Sequence, residues 1–327
     1  MTTAARWSAV PEVRGADTLT RREVVRPGMC GHNSLFVGQV GDWTWDAVSA
    51  LCGVDALRAT DPSGAPTYLS FYYYRVRGSR RFHLRTPSFG DRLRVTSRLF
   101  DFGSESILTL HRITPDGAGG PGDERIDVDE FYRFADPDCL YVENFNRWVS
   151  RSAARSNENL VRSSPAGFRH QHLPGLPERY SPRVACHRAR TGLSFLDPAG
   201  YRPEGPPWTV DYEVDISRDL NGVGLLYFAS YFALVDWALL RFWRWLGRTD
   251  AAFLDRVALD QQLCCLGNTD GGRVLTVTLR RWRPVAATPP GAAGNPGTEA
   301  FDVVLRERDG GRVLAVCTLH LAIEEVR

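Results

Sequence analysis

The stretch "RDLNGVGLLYFASYFALVDWALLRFWRWLG", residues 218–247, decides the fold. Phe228, Phe232, Val235, Leu239, Phe242 and Leu246 recur at spacings of 4, 3, 4, 3 and 4, which places them on one face of a helix predicted over 222–246. The remaining faces are largely apolar too, while Arg241, Arg244 and Arg248 lie off the stripe. The nearly apolar run from Val223 is interrupted at Asp236, too soon for a membrane span, so the helix must be enclosed by protein. A curved antiparallel sheet is the available wrapping.

A second version lies upstream in "GHNSLFVGQVGDWTWDAVSALCG", residues 31–53, a Gly-interrupted apolar helix entered through His32, Asn33 and Ser34. Ser34 is its candidate N-cap. Each helix follows one strand and precedes a train of strands. In the first half the strands are "DTLTRREVVRPG", "TYLSFYYYRVRG", "FGDRLRVTSRLF", "SESILTLHRI" and "DVDEFYRFAD", with a Gly-rich turn at "PDGAGGPGDE". In the second they are "WTVDYEVDIS", "QQLCCLGNTDG", "RVLTVTLRRWRP", "EAFDVVLRERDG" and "RVLAVCTLHLAIEEV". Between the halves "RWVSRSAARSNENLVRSSPAGFRHQHLPGLPERYSPR" is Arg/Ser-rich and then Pro-rich, as a linker would be. The expected division is a first unit over 16–145, a linker over 146–205 and a second unit over 206–327. The repeat is one of pattern, without detailed identity between the halves.

Composition narrows the chemistry. Hydrophobic content of 43% and charged content of 24% are those of a globular protein, and 40 basic against 38 acidic residues give no basic excess for a nucleic-acid partner. Every basic residue is Arg; there is no Lys. A Schiff base, covalently held pyridoxal phosphate and biotin carried on this chain are therefore excluded, since each needs a lysine amine. The seven cysteines lack CxxC spacing and no HExxH occurs, so no metal site is expected and the thiols read as reduced core residues of a cytoplasmic protein. Cys264 and Cys265 would point to opposite faces of a strand. "RHQH", with His170 and His172, reads as surface rather than ligand. The N-terminal residues lack the apolar stretch of a signal peptide.

The arrangement resembles the hotdog fold. Two units in tandem make a double hotdog, an α+β internal pseudo-dimer in which each antiparallel sheet wraps a central helix. In such a pair the cleft lies where the start of one central helix meets the partner's sheet. A helix start offers unpaired N–H groups and a positive dipole end, which suit a thioester carbonyl developing negative charge. His32, Asn33 and Ser34 are expected to line one such entry, and Asn221 and Gly222 the other. Each also has a plain capping or helix-entry explanation. Strand alternation puts Tyr68, Tyr72 and Tyr74 on one face and Tyr73 on the other; a phenol acts as a nucleophile only where its surroundings activate it.

The segments "MCGHNSLFVGQVGDWTW", "PTYLSFYYYRVRG", "FGSESILTLHRI" and "DLNGVGLLYFASYF" together resemble the bifunctional acyltransferase/decarboxylase family typified by the enzyme of leinamycin polyketide biosynthesis. The likeness runs over nearly the whole chain, excluding the N-terminal tail and the linker. It implies an enzyme that decarboxylates methylmalonyl-CoA and passes the propionyl group to the phosphopantetheine thiol of an acyl carrier protein. It implies no metal or biotin, with the coenzyme A thioester as substrate and no membrane or nucleic-acid partner. The family's tyrosine nucleophile carries over to Tyr68, with Tyr72 as second choice; Asn33, the helix-entry N–H groups and Asn221 would polarise the carbonyl, and His32 would relay a proton.

Other readings stay open. The second-half motif also resembles acyl-thioester hydrolases, in which an acid near a similar entry is the base or nucleophile. Aligning Tyr231 with their helix tyrosine puts Asn221 at that acid's place, with Asp219 two residues away. A dehydratase would need an acid opposite His32. A non-catalytic module could simply bind a carrier protein.

Overall fold

The computed structural model describes residues 11–117, 125–152, 156–285 and 298–322. The Gly-rich turn expected over 115–124 falls largely outside the described residues. In chain order the elements are β1 (Glu12–Val13), β2 (Thr18–Val24), α1 (Asn33–Cys52), β3 (Tyr68–Arg77), β4 (Arg92–Asp101), β5 (Ser106–Pro115), α2 (Val128–Arg133), β6 (Leu140–Arg151), β7 (Leu160–Arg162), α3 (Pro182–Gly192), β8 (Tyr201–Glu213), α4 (Phe228–Trp245), α5 (Asp250–Asp255), β9 (Val257–Cys265), β10 (Val274–Pro284), β11 (Thr298–Glu307) and β12 (Val313–Ala322).

One antiparallel sheet runs β1-β2-β4-β5-β6-β3-β9-β12-β11-β10-β8, with β7 added against β6. From the centre outward each half repeats the same order, β3-β6-β5-β4-β2 and β9-β12-β11-β10-β8, so the molecule is a double hotdog with its pseudo-twofold between β3 and β9. Those two strands meet over five rungs, from Tyr73↔Cys264 to Arg77↔Asp260, with Arg75↔Gln262 at the middle.

The inner face of the sheet wraps α1 and α4. The predicted stripe is buried, with Phe232, Val235 and Leu239 at 0% exposure, and Trp43 and Trp243 are enclosed with it in one core. Each such side chain contributes roughly 1.5–3 kcal/mol by leaving water. The helices cross where α1 has glycines. A Cβ on Gly41 would lie 2.3 Å from Cζ of Phe228, and one on Gly38 would lie 3.1 Å from the Tyr227 hydroxyl. The Gly interruptions of "FVGQVGDW" are thus the seat of the second helix.

Several expectations change. The helix over 222–246 begins only at Phe228, because residues 220–226 form a turn closed by a Leu220↔Leu226 bridge. The N-cap of α1 is His32 rather than Ser34, and it makes no side-chain cap bond. "DVDEFYRFAD" is not a strand: Asp127 accepts from the Glu130 N–H and starts α2 instead. The fifth strand of the first half is β6, which runs on to Arg151, into the segment expected to be linker.

The rest of that segment is not a free tether. Cys186 and Ala189 of α3 and Phe195 pack with Tyr73, Tyr141 and Phe145 on the outer face of the sheet. Alternation in β3 is broken by a bulge between Phe71 and Tyr73. Tyr72 and Tyr73 therefore both join the outer cluster, and Tyr74 packs inside with Phe71. Cys264 does face the outer cluster and Cys265 the inner one, as alternation requires. His170 is buried, and its Nδ1 lies 2.8 Å from Asp101 Oδ1.

Candidate active site

Beyond Tyr73 the strands β3 and β9 part, and the opening leads into a cleft of about 490 Å³. Its walls are the first half of β3, the segment before it at Ala56 and Leu57, the 221–228 turn and the residues after β9 at Leu266, Gly267 and Asn268. Tyr68, Tyr72, Asn221 and Gly222 all line it.

The turn is held from three sides. The Asn221 Oδ1 accepts from the N–H groups of Val223 (3.2 Å) and Leu225 (3.0 Å), which leaves its Nδ2 without an acceptor among the described residues. Asn268 clamps Leu226 like a strand neighbour, accepting from its N–H and donating to its carbonyl at 3.0 Å each. Asn157, 3% exposed, donates from Nδ2 to the Gly224 (2.8 Å) and Thr269 (3.1 Å) carbonyls. The Arg151 side chain donates to Asn157 Oδ1 and to the Val223 carbonyl. Asn268 and Asn157 were not found by sequence reading: a lone Asn carries no periodic signal, and Asn157 sits in the polar stretch read as linker.

The two tyrosines differ. Tyr68 is half-buried at the end of β3, its ring centroid 5.9 Å from the Arg151 guanidinium carbon. Tyr72 is 9% exposed; the Arg147 guanidinium stacks 3.5 Å from its ring centroid and Arg190 donates to its hydroxyl. Burial pushes the Tyr72 phenol above its ordinary value despite these cations. Arg147 itself lines the cleft, has no carboxylate within ion-pair distance among the described residues, and its Nε is buried without a partner. Sequence reading missed it because it lies in the supposed linker.

His32, Asn33 and Ser34 are not in this cleft. They line a second one, of about 930 Å³, with Asp219, Tyr212, Arg85 and residues of α4 and α5. Tyr227 forms a wall of both. The expectation that Asn33 and Asn221 serve one carbonyl is thereby corrected: each helix entry faces its own cleft, because α1 and α4 come from opposite halves. Asp219 also turns away from Tyr68. Its Oδ2 accepts from the Tyr212 hydroxyl (2.7 Å) and the Asp215 N–H (2.8 Å). Among the described residues no group of His, Cys, Asp or Glu side chains is arranged to hold a metal, and no helix is long and apolar enough to cross a membrane.

Residues 20–198 match the LnmK N-terminal Hot Dog Fold domain, more than half of the chain. The chain belongs to that family. No curated protein sequence matches significantly. Solved structures show the same architecture over the whole length. A Lactobacillus plantarum protein described as an oleoyl thioesterase superposes with a TM-score of 0.60 at 12% identity, covering 95% of this chain and 98% of that one. An acyl-ACP thioesterase from Bacteroides thetaiotaomicron gives 0.53 at 8% identity, covering 93% and 97%. The 12:0-ACP thioesterase of Umbellularia californica gives 0.52 at 12% identity, covering 95% and 96%. At such identities the likeness is one of fold. The protein is a double hotdog of the LnmK type.

Proposed function

We propose that this protein is an acyltransferase/decarboxylase that converts methylmalonyl-CoA to a propionyl group carried on the phosphopantetheine of an acyl carrier protein, with the chemistry at Tyr68. The observation that carries the reading is the joining, in one cleft, of a tyrosine, an unpaired guanidinium and a free amide donor: Tyr68, Arg147 and the Asn221 Nδ2. Family membership and the absence of a lysine are consistent with it.

In this mechanism the Tyr68 oxygen attacks the thioester carbonyl, the coenzyme A thiol leaves with the phenolic proton, and an acyl-tyrosine forms. The Asn221 Nδ2 donates to the carbonyl oxygen as charge builds there. Arg147 selects the substrate by its free carboxylate and sets it out of the carbonyl plane. Loss of CO₂ leaves an enolate, held by the same amide donor and protonated from solvent at carbon to give propionyl. The carrier thiol then attacks the ester carbonyl and Tyr68 recovers its proton. Tyr72, braced by Arg147 and Arg190, is a wall of the site rather than the nucleophile.

The alternative is hydrolysis by an acid at the α4 entry. It is disfavoured because Asp219 is turned into the other cleft, and the acid that does line this one, Glu158, is paired with Arg273 at 3.0 Å. Mass spectrometry of the protein with methylmalonyl-CoA, with and without phosphopantetheinylated carrier, tests the proposal. Propionyl-carrier formed by wild type and lost in Tyr68→Phe is the expected result. Free acid as the product would replace it with the thioesterase reading.

A further inference from the structure

We propose that the cleft at the entry of α1 is a second ligand site, which binds an amphipathic carboxylic acid head-first and does not turn it over. Ligand binding here is independent of the chemistry at Tyr68, and the absence of turnover rests on that reading.

The two clefts are related by the pseudo-twofold. Rotation about the Arg75↔Gln262 rung exchanges the α4 entry for the α1 entry, the segment before β3 for that before β9, and the loop after β9 for that after β3. Each class of wall is present in both: Ala56, Leu57 and Asn268 in one, Phe253, Leu254 and Arg85 in the other. Even the bulges correspond, since Tyr72 and Leu259 are the residues skipped in pairing with β6 and β12. The rotation puts Leu259 in place of Tyr72 and Asp255 in place of Tyr68, so the tyrosine that carries the chemistry has no counterpart. The phenols that do line the second cleft, Tyr212 and Tyr227, are both pushed up to about 12, first by burial, and remain protonated at neutral pH.

The cleft nevertheless keeps the features of a binding site. Asn33, in the first turn of a helix of 20 residues, is 3% exposed, and its Oδ1 is buried without a partner. That oxygen is an acceptor and takes nothing from an ionised carboxylate; what Asn33 offers such a head group is its Nδ2, which has no acceptor among the described residues. The helix start adds free N–H groups and positive potential. Most charged groups around the cleft are already engaged: Asp236 with Arg256, Asp250 with Arg244, and Asp219 and Arg218 with Tyr212. Arg85 and His32 have no acidic partner within ion-pair distance among the described residues. Half-buried, Arg85 makes no direct ion pair among the described residues, Asp236 and Asp255 acting on it only from a distance, and an anionic head group would give it a contact partner. Leu234, Trp237, Leu240, Phe253 and Leu254 offer apolar wall for a chain.

Isothermal titration calorimetry of the full chain with decanoate, and with decanol as the same chain without the acid, tests this. Decanoate should bind, decanol about tenfold or more weakly, and Asn33→Leu and Arg85→Met should each weaken decanoate by about tenfold. Arg147→Met, in the other cleft, should leave the affinity unchanged, and Arg85→Met should leave methylmalonyl-CoA turnover unchanged. Thermal melts check that the variants fold. The proposal is overturned if decanoate does not bind, if decanol binds equally, or if affinity follows Arg147 instead of Asn33 and Arg85. Loss of turnover in Asn33→Leu with decanoate affinity intact would return Asn33 to the transfer reaction and likewise overturn it.

Discussion

The two clefts have the same construction and different contents. Each is a helix entry set against the opposite half, yet one holds Tyr68, Arg147 and the clamped 221–226 turn, and the other holds Asn33, Arg85 and apolar wall. The difference shows how an internal duplication can divide its work. The shared wall, where Gly38 and Gly41 receive Tyr227 and Phe228, keeps the frame common to both, while in the proposed mechanism single positions on β3 and β9 set the chemistry.

The comparison breaks most sharply at Arg147. If the clefts differ in substrate recognition as proposed, Arg147→Met should lower kcat/KM for methylmalonyl-CoA by about a hundredfold, because a charge-assisted bond to the substrate is lost. An unchanged steady-state rate would remove the carboxylate-binding role. Decanoate binding should not respond.

Next in size is the shared wall. Gly41→Ala places a methyl group on the Phe228 ring, which cannot swing aside because it stacks on Phe71 with centroids 3.9 Å apart and on Tyr74 at 6.1 Å. Overpacking of this kind costs about 1–3 kcal/mol, and denaturant melts should show it together with weakened function in both clefts. Damage confined to one cleft would show that the helices do not act as a common frame.

The smallest expected effect contrasts the two halves at their junction. Beside the central rung, Arg75 faces Glu143 on β6, while Gln262 faces Thr318 on β12. Burial pushes the Glu143 carboxyl up to about 7 from 4.5. The folded state thus holds a proton that the unfolded state releases, so this contribution to stability is complete below about 4.5 and lost as pH rises through about 7. Glu143→Gln should flatten the stability profile over that window and stabilise the protein at pH above it. Parallel curves for the two proteins in urea melts would show that Glu143 is not held protonated.

How much of this was readable beforehand depended on how local the signal was. The stripe from Phe228 to Leu246 specified a buried helix by spacing alone, and the double hotdog followed from two helices each with its meander. The start of that helix was misplaced by six residues, since Asn221 and Asn268 stabilise a turn where an apolar composition suggests helix. The linker was misjudged because its contacts, such as Cys186 and Phe195 against the outer sheet, are made with residues distant in the chain.

For the candidate site, the sequence supplies residue types and not their grouping. Tyr68 and Asn221 do share a cleft, whereas His32 and Asn33 do not join them. Periodicity, turn residues and the missing lysine act within a few neighbours or in the composition as a whole, so the chain by itself determined the elements, their duplication and the exclusion of lysine chemistry. Which entry meets which sheet edge, where the bulge turns Tyr72 outward, and which cation is left without a direct ion pair were decided only by the tertiary structure, because those are relations between residues distant in the chain, brought together where the sheets of the two halves join and their central helices cross.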